Sequence, residues 1–271
     1  MPENKKGEQP TDAVFDEISC YWTEIADAHD TERQVNLAKD TLSASGLVLD
    51  MGCGNGRHAV QLSEAGYDVV GLDISVRLLK IAKSKAAKAN LKLTLVRADM
   101  RFLPFCSNAF MGIVSLDSTL GYFPSENEDL RSLREVARTL AERGIFLLDV
   151  YNGEHILMRQ GTFRLRDLLF GLARFPQFSA LFRWHEFHSF CMLQKRRIKR
   201  GEEMLVDTWI FLDKQSRKTY GVRHAVRLYR FAQLQRLLTE SRLRVVNVYG
   251  DYEREEFSKN SKRLILTAIK T

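Results

Sequence analysis

The sequence predicts an α/β fold in which helices cover both faces of a mainly parallel sheet. Between residues 47 and 150, short and nearly continuous apolar segments alternate with segments of helical periodicity. Strands that are joined through helices form right-handed βαβ units, and continuous apolar strands are typical of a sheet that is buried on both faces. A chain of 271 residues is long enough for one such domain with an elaboration.

The predicted core contains five strands in its first part, at residues 47–50, 68–73, 93–99, 109–116 and 144–150. Helices are predicted between them at residues 57–65, 75–89 and 129–140. Gly66 ends the first of these helices, and Ser75 is the expected N-cap of the second. A helix at residues 231–241 and strands at 244–250 and 263–269 complete the core.

Two other regions differ from the core in their pattern. Residues 12–40 carry apolar residues at helical spacing, which predicts one or two helices before the first strand. Residues 153–227 are rich in aromatic residues and arginine, and the stretches 184–198 and 203–212 predict antiparallel strands. We therefore predict three parts, namely a helical cap (1–40), a core (41–152 and 228–271) and an inserted substrate-side β lid (153–227).

Composition restricts the class of protein. Hydrophobic residues make up 45% of the chain and charged residues 28%, which is ordinary for a soluble domain. No apolar stretch approaches the roughly 20 residues of a membrane span, and the polar N-terminus does not resemble a signal peptide, so we expect a cytoplasmic protein with no membrane partner. The four cysteines are scattered without a C-x-x-C pair, so we expect no metal and no disulfide framework.

A glycine-rich turn follows the first predicted strand, in the segment Asp50-Met51-Gly52-Cys53-Gly54-Asn55-Gly56. Three alternate glycines lack a Cβ atom, so backbone N–H groups and a ligand can approach closely at the start of the next helix. Asp73 ends the next strand, and a carboxylate at that point can accept hydrogen bonds from both hydroxyls of a ribose. The combination predicts a nucleoside site.

The spacing of the glycines distinguishes between nucleotide-binding folds. A dinucleotide fingerprint, G-x-G-x-x-G, requires its third glycine where this chain has Arg57. A phosphate-binding G-x-x-x-x-G-K-[ST] loop is also absent from the sequence. We therefore predict an adenosine-like ligand that carries no pyrophosphate.

Three segments together carry a family resemblance. D-M-G-C-G-N-G, G-L-D-I-S and R-A-D-M resemble the cofactor motifs of class I S-adenosylmethionine-dependent methyltransferases, over about residues 46–150. G-N-G-R-H-A and S-T-L-G-Y-F-P are similar to segments of a small, poorly characterised bacterial and archaeal subgroup. The resemblance implies a Rossmann-like sheet of seven strands with an antiparallel last strand. It also implies S-adenosylmethionine as cofactor and S-adenosylhomocysteine as product.

The resemblance also implies roles for individual residues. Asp50, Gly52, Cys53, Gly54, Asn55 and Gly56 would form the wall against the methionine part and the ribose. Asp73 would hold the ribose hydroxyls, Ile74 and Met100 would pack beside the adenine, and Asp99 would accept a hydrogen bond from its amino group. Asp117 would lie near the methionine amino group and the substrate, and Arg33 would pair with the methionine carboxylate.

The reaction implied is an in-line displacement at an activated methyl group, which requires alignment and the exclusion of water. Asp117 and Tyr122 are the candidate catalytic residues, because they follow the fourth strand, where ligands bind in open α/β sheets. The candidate substrate-binding residues are Tyr21, Trp22, His185 and Tyr229, and the candidate apolar walls are Phe163, Trp184, Phe187 and Trp209.

Three functions remain open at this level. A small-molecule methyltransferase, either a monomer or a homodimer, is the first. A tRNA or rRNA methyltransferase is the second, because the net charge is +7 and residues 195–200 form a basic run. The chain lacks a [DN]-P-P-[FYW] segment after the fourth strand, which argues against methylation of exocyclic base nitrogens. A non-catalytic cofactor-binding protein is the third, and the intact glycines and acids argue against it.

Overall fold

A central sheet and a smaller second sheet account for all strands in the computed structural model, which describes residues 11–43, 45–158 and 182–271. The strands are β1 (Leu47–Met51), β2 (Asp68–Asp73), β3 (Thr94–Arg97), β4 (Phe110–Ser115), β5 (Leu140–Tyr151), β6 (Phe182–Glu186), β7 (Phe190–Lys199), β8 (Met204–Asp213), β9 (Thr219–Arg227), β10 (Leu243–Tyr249) and β11 (Arg263–Lys270). The central sheet has the order β10-β11-β5-β4-β1-β2-β3. Only β11 runs antiparallel to its neighbours, which confirms the predicted seven-stranded sheet with an antiparallel last strand.

The described ranges include seven helices that pack on these sheets. They are α1 (Thr11–Glu17), α2 (Ser19–Asp27), α3 (Thr31–Thr41), α4 (Arg57–Glu64), α5 (Val76–Lys88), α6 (Glu126–Thr139) and α7 (Phe231–Glu240). The Ser75 hydroxyl accepts a hydrogen bond from the backbone N–H of Leu78 at 3.1 Å, so the predicted N-cap of α5 is confirmed. None of these helices in the described part of the chain is long and apolar enough to cross a membrane.

Both faces of the central sheet are buried, as the continuous apolar strands predict. Successive strand residues point to opposite faces. Val48 and Leu147 belong to one apolar cluster, while Leu49 and Leu148 belong to another. The carboxyl ends of β1, β2 and β4 are therefore held at a common edge by a core on each side.

The N-terminal region forms three helices rather than the one or two that the sequence predicts. Val35 and Leu37 of α3 lie in the same apolar cluster as β1 and α4, so α3 is part of the core. In contrast, Val14 and Ile18 at the α1–α2 boundary pack with residues of the second sheet. Of the predicted 1–40 cap, only α1 and α2 pack on the second sheet.

The second sheet is antiparallel, in the order β6-β7-β8-β9, as predicted for the insertion. The stretch 184–198 was predicted as one strand but contains two, because the chain reverses where Phe187 N–H donates to the carbonyl of Phe190 at 2.9 Å. Consecutive residues of β8 face opposite sides. Trp209 faces α1 and α2, whereas Trp184 of β6, which shares the opposite face with Ile210, is 61% exposed.

Candidate active site

A cleft of about 780 Å³, including the space at its open mouth, lies at the carboxyl ends of β1, β2 and β4. Ligands bind at this position in open α/β sheets. The cleft brings together nine of the residues predicted from sequence: Gly52, Gly54, Asp73, Ile74, Asp99, Met100, Asp117, Trp22 and Tyr122. Its remaining lining is mainly apolar, from α1, α5 and the loops that follow the strands.

Each of the three positions in the turn requires glycine for a different physical reason. Gly54 has φ +53°, and a Cβ atom placed there would lie at the cleft and meet only the Trp22 Nε1 atom, at an ordinary contact distance of 3.6 Å. A Cβ at Gly52 would lie 2.2 Å from a Thr119 methyl group, and one at Gly56 would lie 2.7 Å from the Ala82 Cβ of α5. Gly54 therefore leaves space for a ligand, while the other two permit close packing within the protein.

Asp73 connects the glycine turn to the start of α5. Its Oδ2 accepts a hydrogen bond from Gly54 N–H, and its Oδ1 accepts one from Ser75 N–H, each at 2.8 Å. Burial raises the pKa of Asp73, although both of these hydrogen bonds oppose the rise. A carboxylate has about four acceptor positions, so capacity remains for hydroxyl donors from the cleft that Asp73 lines.

Asp50 lies behind the cleft rather than on its surface, and its Oδ2 has no hydrogen-bond partner among the described residues. Burial raises the pKa of Asp50 to about 7; Arg57 opposes this rise and Asp73 adds to it. Cys53, Asn55 and Gly56 are also buried behind the cleft. These four residues support the turn, and their predicted contact with a cofactor stays a prediction.

The raised pKa of Asp50 has a consequence for stability. Since the folded pKa of about 7 exceeds the ordinary value near 3.9, the native state holds a proton that the unfolded state has released. We expect the free energy of unfolding of the wild type to fall by about 3 kcal/mol relative to Asp50→Asn between pH 4 and pH 8. Urea unfolding of both proteins across this range measures the difference, and a constant difference would contradict the assignment.

Asp117 is the centre of a buried ionic network. Its Oδ2 accepts hydrogen bonds from Arg57 Nη2 at 2.8 Å and from His29 Nδ1 at 2.7 Å. Asp117 and Ser118 both have positive φ, +58° and +64°. The Asp117 N–H donates to Asp149 Oδ2 at 2.9 Å, which holds this turn on β5.

This network argues against Asp117 as a general base. Burial by itself would raise the pKa of Asp117, but its hydrogen bond to His29 and the charges of His29, Arg57 and Arg263 lower it well below its usual range. A general base works best when its pKa lies near the operating pH. The Asp117 carboxylate is the counter-ion of buried Arg57 at the wall of the cleft, and its catalytic role stays a prediction, as a positioning group rather than a general base.

Asp99 also has a fixed ion-pair partner, Arg101. Arg101 Nε lies 3.0–3.1 Å from its two oxygens and Nη2 lies 2.6 Å from Oδ2, while Arg101 Nη1 contacts Glu128. Burial opposes but does not outweigh these contacts, and the pKa of Asp99 is lowered. The carboxylate is therefore ionised at neutral pH and held in one orientation at the wall of the cleft.

Aromatic rings of α1, α2 and the loop after β4 form a roof, which we define as Phe15, Trp22 and Tyr122. The Phe15 ring lies edge-on to Trp22 at 5.2 Å and to Tyr122 at 5.6 Å, and all three line the cleft. Asp16 Oδ1 holds α1 in place through the Ser75 hydroxyl and the Arg77 N–H. Sequence analysis missed Phe15, whose only signal was its helical spacing.

Four predicted site residues lie elsewhere, because other partners hold them. Arg33 is exposed and pairs with Asp30 and Glu253 at 2.9 and 3.1 Å, so it does not line the cleft. Tyr229 is buried in the core, where its hydroxyl donates to Asp129 at 2.7 Å.

Tyr21 stacks on Phe211 of the second sheet at 4.8 Å, and His185 Nε2 lies 3.3 Å from Gln194 Oε1. Neither residue lines the cleft, so both predictions of substrate contact are corrected. Phe163 lies outside the described residues. Within the described ranges, no three His, Cys, Asp or Glu side chains converge on a point that could hold a metal ion.

Comparisons with known proteins agree with this geometry. Residues 48–144 match the methyltransferase domain family. The glycine/sarcosine N-methyltransferase of Aphanothece halophytica is 32% identical over 111 residues, which cover 41% of this chain and 42% of the relative. This alignment therefore spans less than half of either protein.

Two solved structures match over almost the full length. The CcbJ methyltransferase from Streptomyces caelestis has a TM-score of 0.76 at 18% identity and covers 98% of this chain and 99% of its own. The sugar N-methyltransferase KedS8 from Streptoalloteichus sp. ATCC 53650 has a TM-score of 0.66 at 16% identity, covering 100% and 98%. Residues 48–144 therefore form a methyltransferase domain, and the chain shares the Rossmann-like fold of solved S-adenosylmethionine-dependent methyltransferases.

Proposed function

We propose that this protein transfers the methyl group of S-adenosylmethionine to a small-molecule acceptor bound beneath the aromatic roof. The observation that carries the proposal is the closure of the Gly54–Asp73 cleft by the rings of Phe15, Trp22 and Tyr122. The volume of about 780 Å³, which includes the open mouth, lies in the range of small-molecule sites and supports binding of a cofactor together with a small acceptor.

The residues of the cleft fit the cofactor. Asp73 has acceptor capacity for the ribose hydroxyls, Asp99 is an ionised acceptor for the adenine amino group, and Gly54 leaves space for close approach. Ile74 and Met100 line the same cleft and offer apolar contact to the adenine. The bound cofactor supplies an activated methyl group, and the chain's own residues orient the reactants and exclude water. Such alignment is worth at most about 7–11 kcal/mol.

The relatives support a small acceptor. Glycine/sarcosine N-methyltransferase and the sugar N-methyltransferase KedS8 act, by their names, on small molecules. The basic run of the insertion gives less support to an RNA substrate than its sequence suggests. Arg196 of this run pairs with the buried Asp207 at 2.7 Å, and Lys199 pairs with Glu202 at 2.6 Å. Salt-dependent binding of tRNA near physiological ionic strength would favour the RNA alternative instead.

Asp73→Ala tests the cofactor site. We expect the dissociation constant for S-adenosylmethionine to rise by a factor that corresponds to about 1.5–3 kcal/mol, because hydrogen bonds to a charged group are lost. Titration calorimetry measures it, and Asp68→Ala, at the exposed far end of the same strand, is the matched control. An unchanged dissociation constant in Asp73→Ala would place the ribose elsewhere. A methyl-transfer screen with small acceptors then separates an enzyme from a non-catalytic binder.

A further inference from the structure

Two buried ring nitrogens on the second sheet lack partners. Trp209 and His224 are 7% and 6% exposed, and neither Trp209 Nε1 nor His224 Nδ1 has a hydrogen-bond partner among the described residues. Their rings lie 4.3 Å apart at an angle of 72°. Most buried polar atoms in proteins are hydrogen-bonded, so two such nitrogens on adjacent rings point to a polar partner that the described residues do not supply.

The pair lies directly behind the aromatic roof. Trp209 stacks on Trp22 with ring centroids 6.0 Å apart, and His224 lies 5.9 Å from Tyr122 and 6.3 Å from Phe15. The two rings therefore contact the roof from the side of the second sheet and do not themselves line the cleft. An acceptor in the cleft reaches the two nitrogens only if the Phe15 and Tyr122 side chains move aside.

The surroundings of the pair are electrically neutral. Asp207 is opposite His224 in the sheet, and both its oxygens are occupied by Arg196, at 2.9 Å from Nε and 2.7 Å from Nη2. Gln194 adds a third hydrogen bond to Asp207 at 3.0 Å. Burial lowers the pKa of His224 to about 4, although Asp207 opposes this, so the imidazole is neutral at pH 7. A charged group would gain no counter-ion here and would lose its hydration.

We propose that Trp209 and His224 hold the reacting polar group of the methyl acceptor, and that this group is an uncharged hydroxyl or amine on a ring. This rests on the proposed function. The indole N–H only donates, and Nδ1 of an imidazole protonated at Nε2 only accepts. A hydroxyl or an un-ionised amine satisfies both at once. An ammonium can only donate and a carboxylate can only accept, so each leaves one nitrogen unpaired. The roof rings provide faces for the ring of the acceptor.

The transfer step then balances without a further reactant. A lone pair of the acceptor oxygen or nitrogen forms a bond to the methyl carbon, and the electron pair of the broken carbon–sulfur bond stays on sulfur. The acceptor atom becomes acidic as this bond forms, and its proton passes to solvent water. His224 Nδ1 accepts a hydrogen bond from the uncharged acceptor and Trp209 Nε1 donates one to it, so both are assigned as binding residues.

The test uses protein saturated with S-adenosylhomocysteine and six probes. The uncharged probes are phenol, aniline and cyclohexanol, and the charged ones are benzoate, phenyl phosphate and benzylammonium. The chain has three tryptophans, so ¹H–¹⁵N spectra contain three indole signals that Trp→Phe variants assign. We expect at least one of the uncharged probes to shift the Trp209 indole signal but not that of Trp184, and the charged probes to shift neither at equal concentration.

Variants make the test quantitative. Trp209→Phe and His224→Gln should weaken binding of the responsive probe about fivefold, because each loses one hydrogen bond, and should leave the affinity for S-adenosylhomocysteine within twofold. Trp184→Phe and His188→Gln, both exposed, should change neither affinity. Suppose that S-adenosylhomocysteine binds, but no uncharged probe shifts the Trp209 signal or the charged probes bind equally well. The further inference is then wrong, while the proposed function still stands. If S-adenosylhomocysteine does not bind, the proposed function fails and takes the inference with it.

Discussion

Gly54→Val should abolish binding of S-adenosylmethionine, with a loss of at least a hundredfold in affinity. Gly54 has φ +53°, a backbone conformation that β-branched residues rarely adopt, and its missing side chain faces the open part of the cleft. Valine would fill the space into which the nucleoside is proposed to fit, and it would also move the N–H that donates to Asp73. Calorimetric titration with S-adenosylmethionine measures the effect.

The backbone cost of that substitution requires a control. Gly66 follows α4 with φ +93°, and a Cβ placed there meets no atom within 4 Å. Gly66→Val therefore imposes a comparable left-handed strain far from the cleft, and we expect it to lower stability while it keeps the affinity for the cofactor. Micromolar binding by a folded Gly54→Val protein would show that the nucleoside lies elsewhere.

Asp117→Asn should reduce the free energy of unfolding by about 3–5 kcal/mol, since it leaves the buried Arg57 guanidinium without its counter-ion. Asparagine tolerates the positive φ of this position, so the variant isolates the charge from the backbone strain. The loss is a large part of the 5–15 kcal/mol that stabilises a typical domain. It should lower the midpoint of thermal unfolding by about 10 °C.

Two measurements separate this role from a general loss of packing. His29→Gln removes the partly exposed partner of Asp117, and it should cost less than about 1 kcal/mol because solvent screens that pair. The pKa of Asp117 is lowered in the folded state, so its contribution is fully present above the unfolded pKa near 3.9 and declines as the pH falls from there through the lower folded pKa. The stability difference between the wild type and Asp117→Asn should therefore shrink from pH 5 to pH 2. A difference that stays unchanged over this range would contradict the ion-pair explanation.

Residues close together in the chain could be assigned from sequence because their geometry is local. The turn Gly52–Gly56 and the strand that ends at Asp73 lie within one βαβ unit, whose handedness and pairing follow general rules. Ser75 caps α5 through an atom only three residues away. Local spacing therefore predicted both the cofactor side of the cleft and the α/β class.

Partners that are distant along the chain decide where several of the predicted site residues lie. Arg33 is held by Glu253, Tyr229 by Asp129 and Asp117 by Arg57, and each of these partners is distant along the chain. A side chain's partner decides whether it is a ligand-binding group or an internal counter-ion, and spacing does not encode that partner.

By itself, the sequence determined the alternation of strands and helices between residues 47 and 150, the glycine turn and the acid that follows it, since these follow from periodicity and from short-range geometry. Only the tertiary structure decided which residues close the cleft. Phe15 and Trp22 reach it because α1 and α2 pack between the second sheet and α5, and Trp209 and His224 share a space because β8 and β9 pair in one register. Contacts between segments so far apart in the chain depend on packing of the whole molecule, which no local pattern specifies.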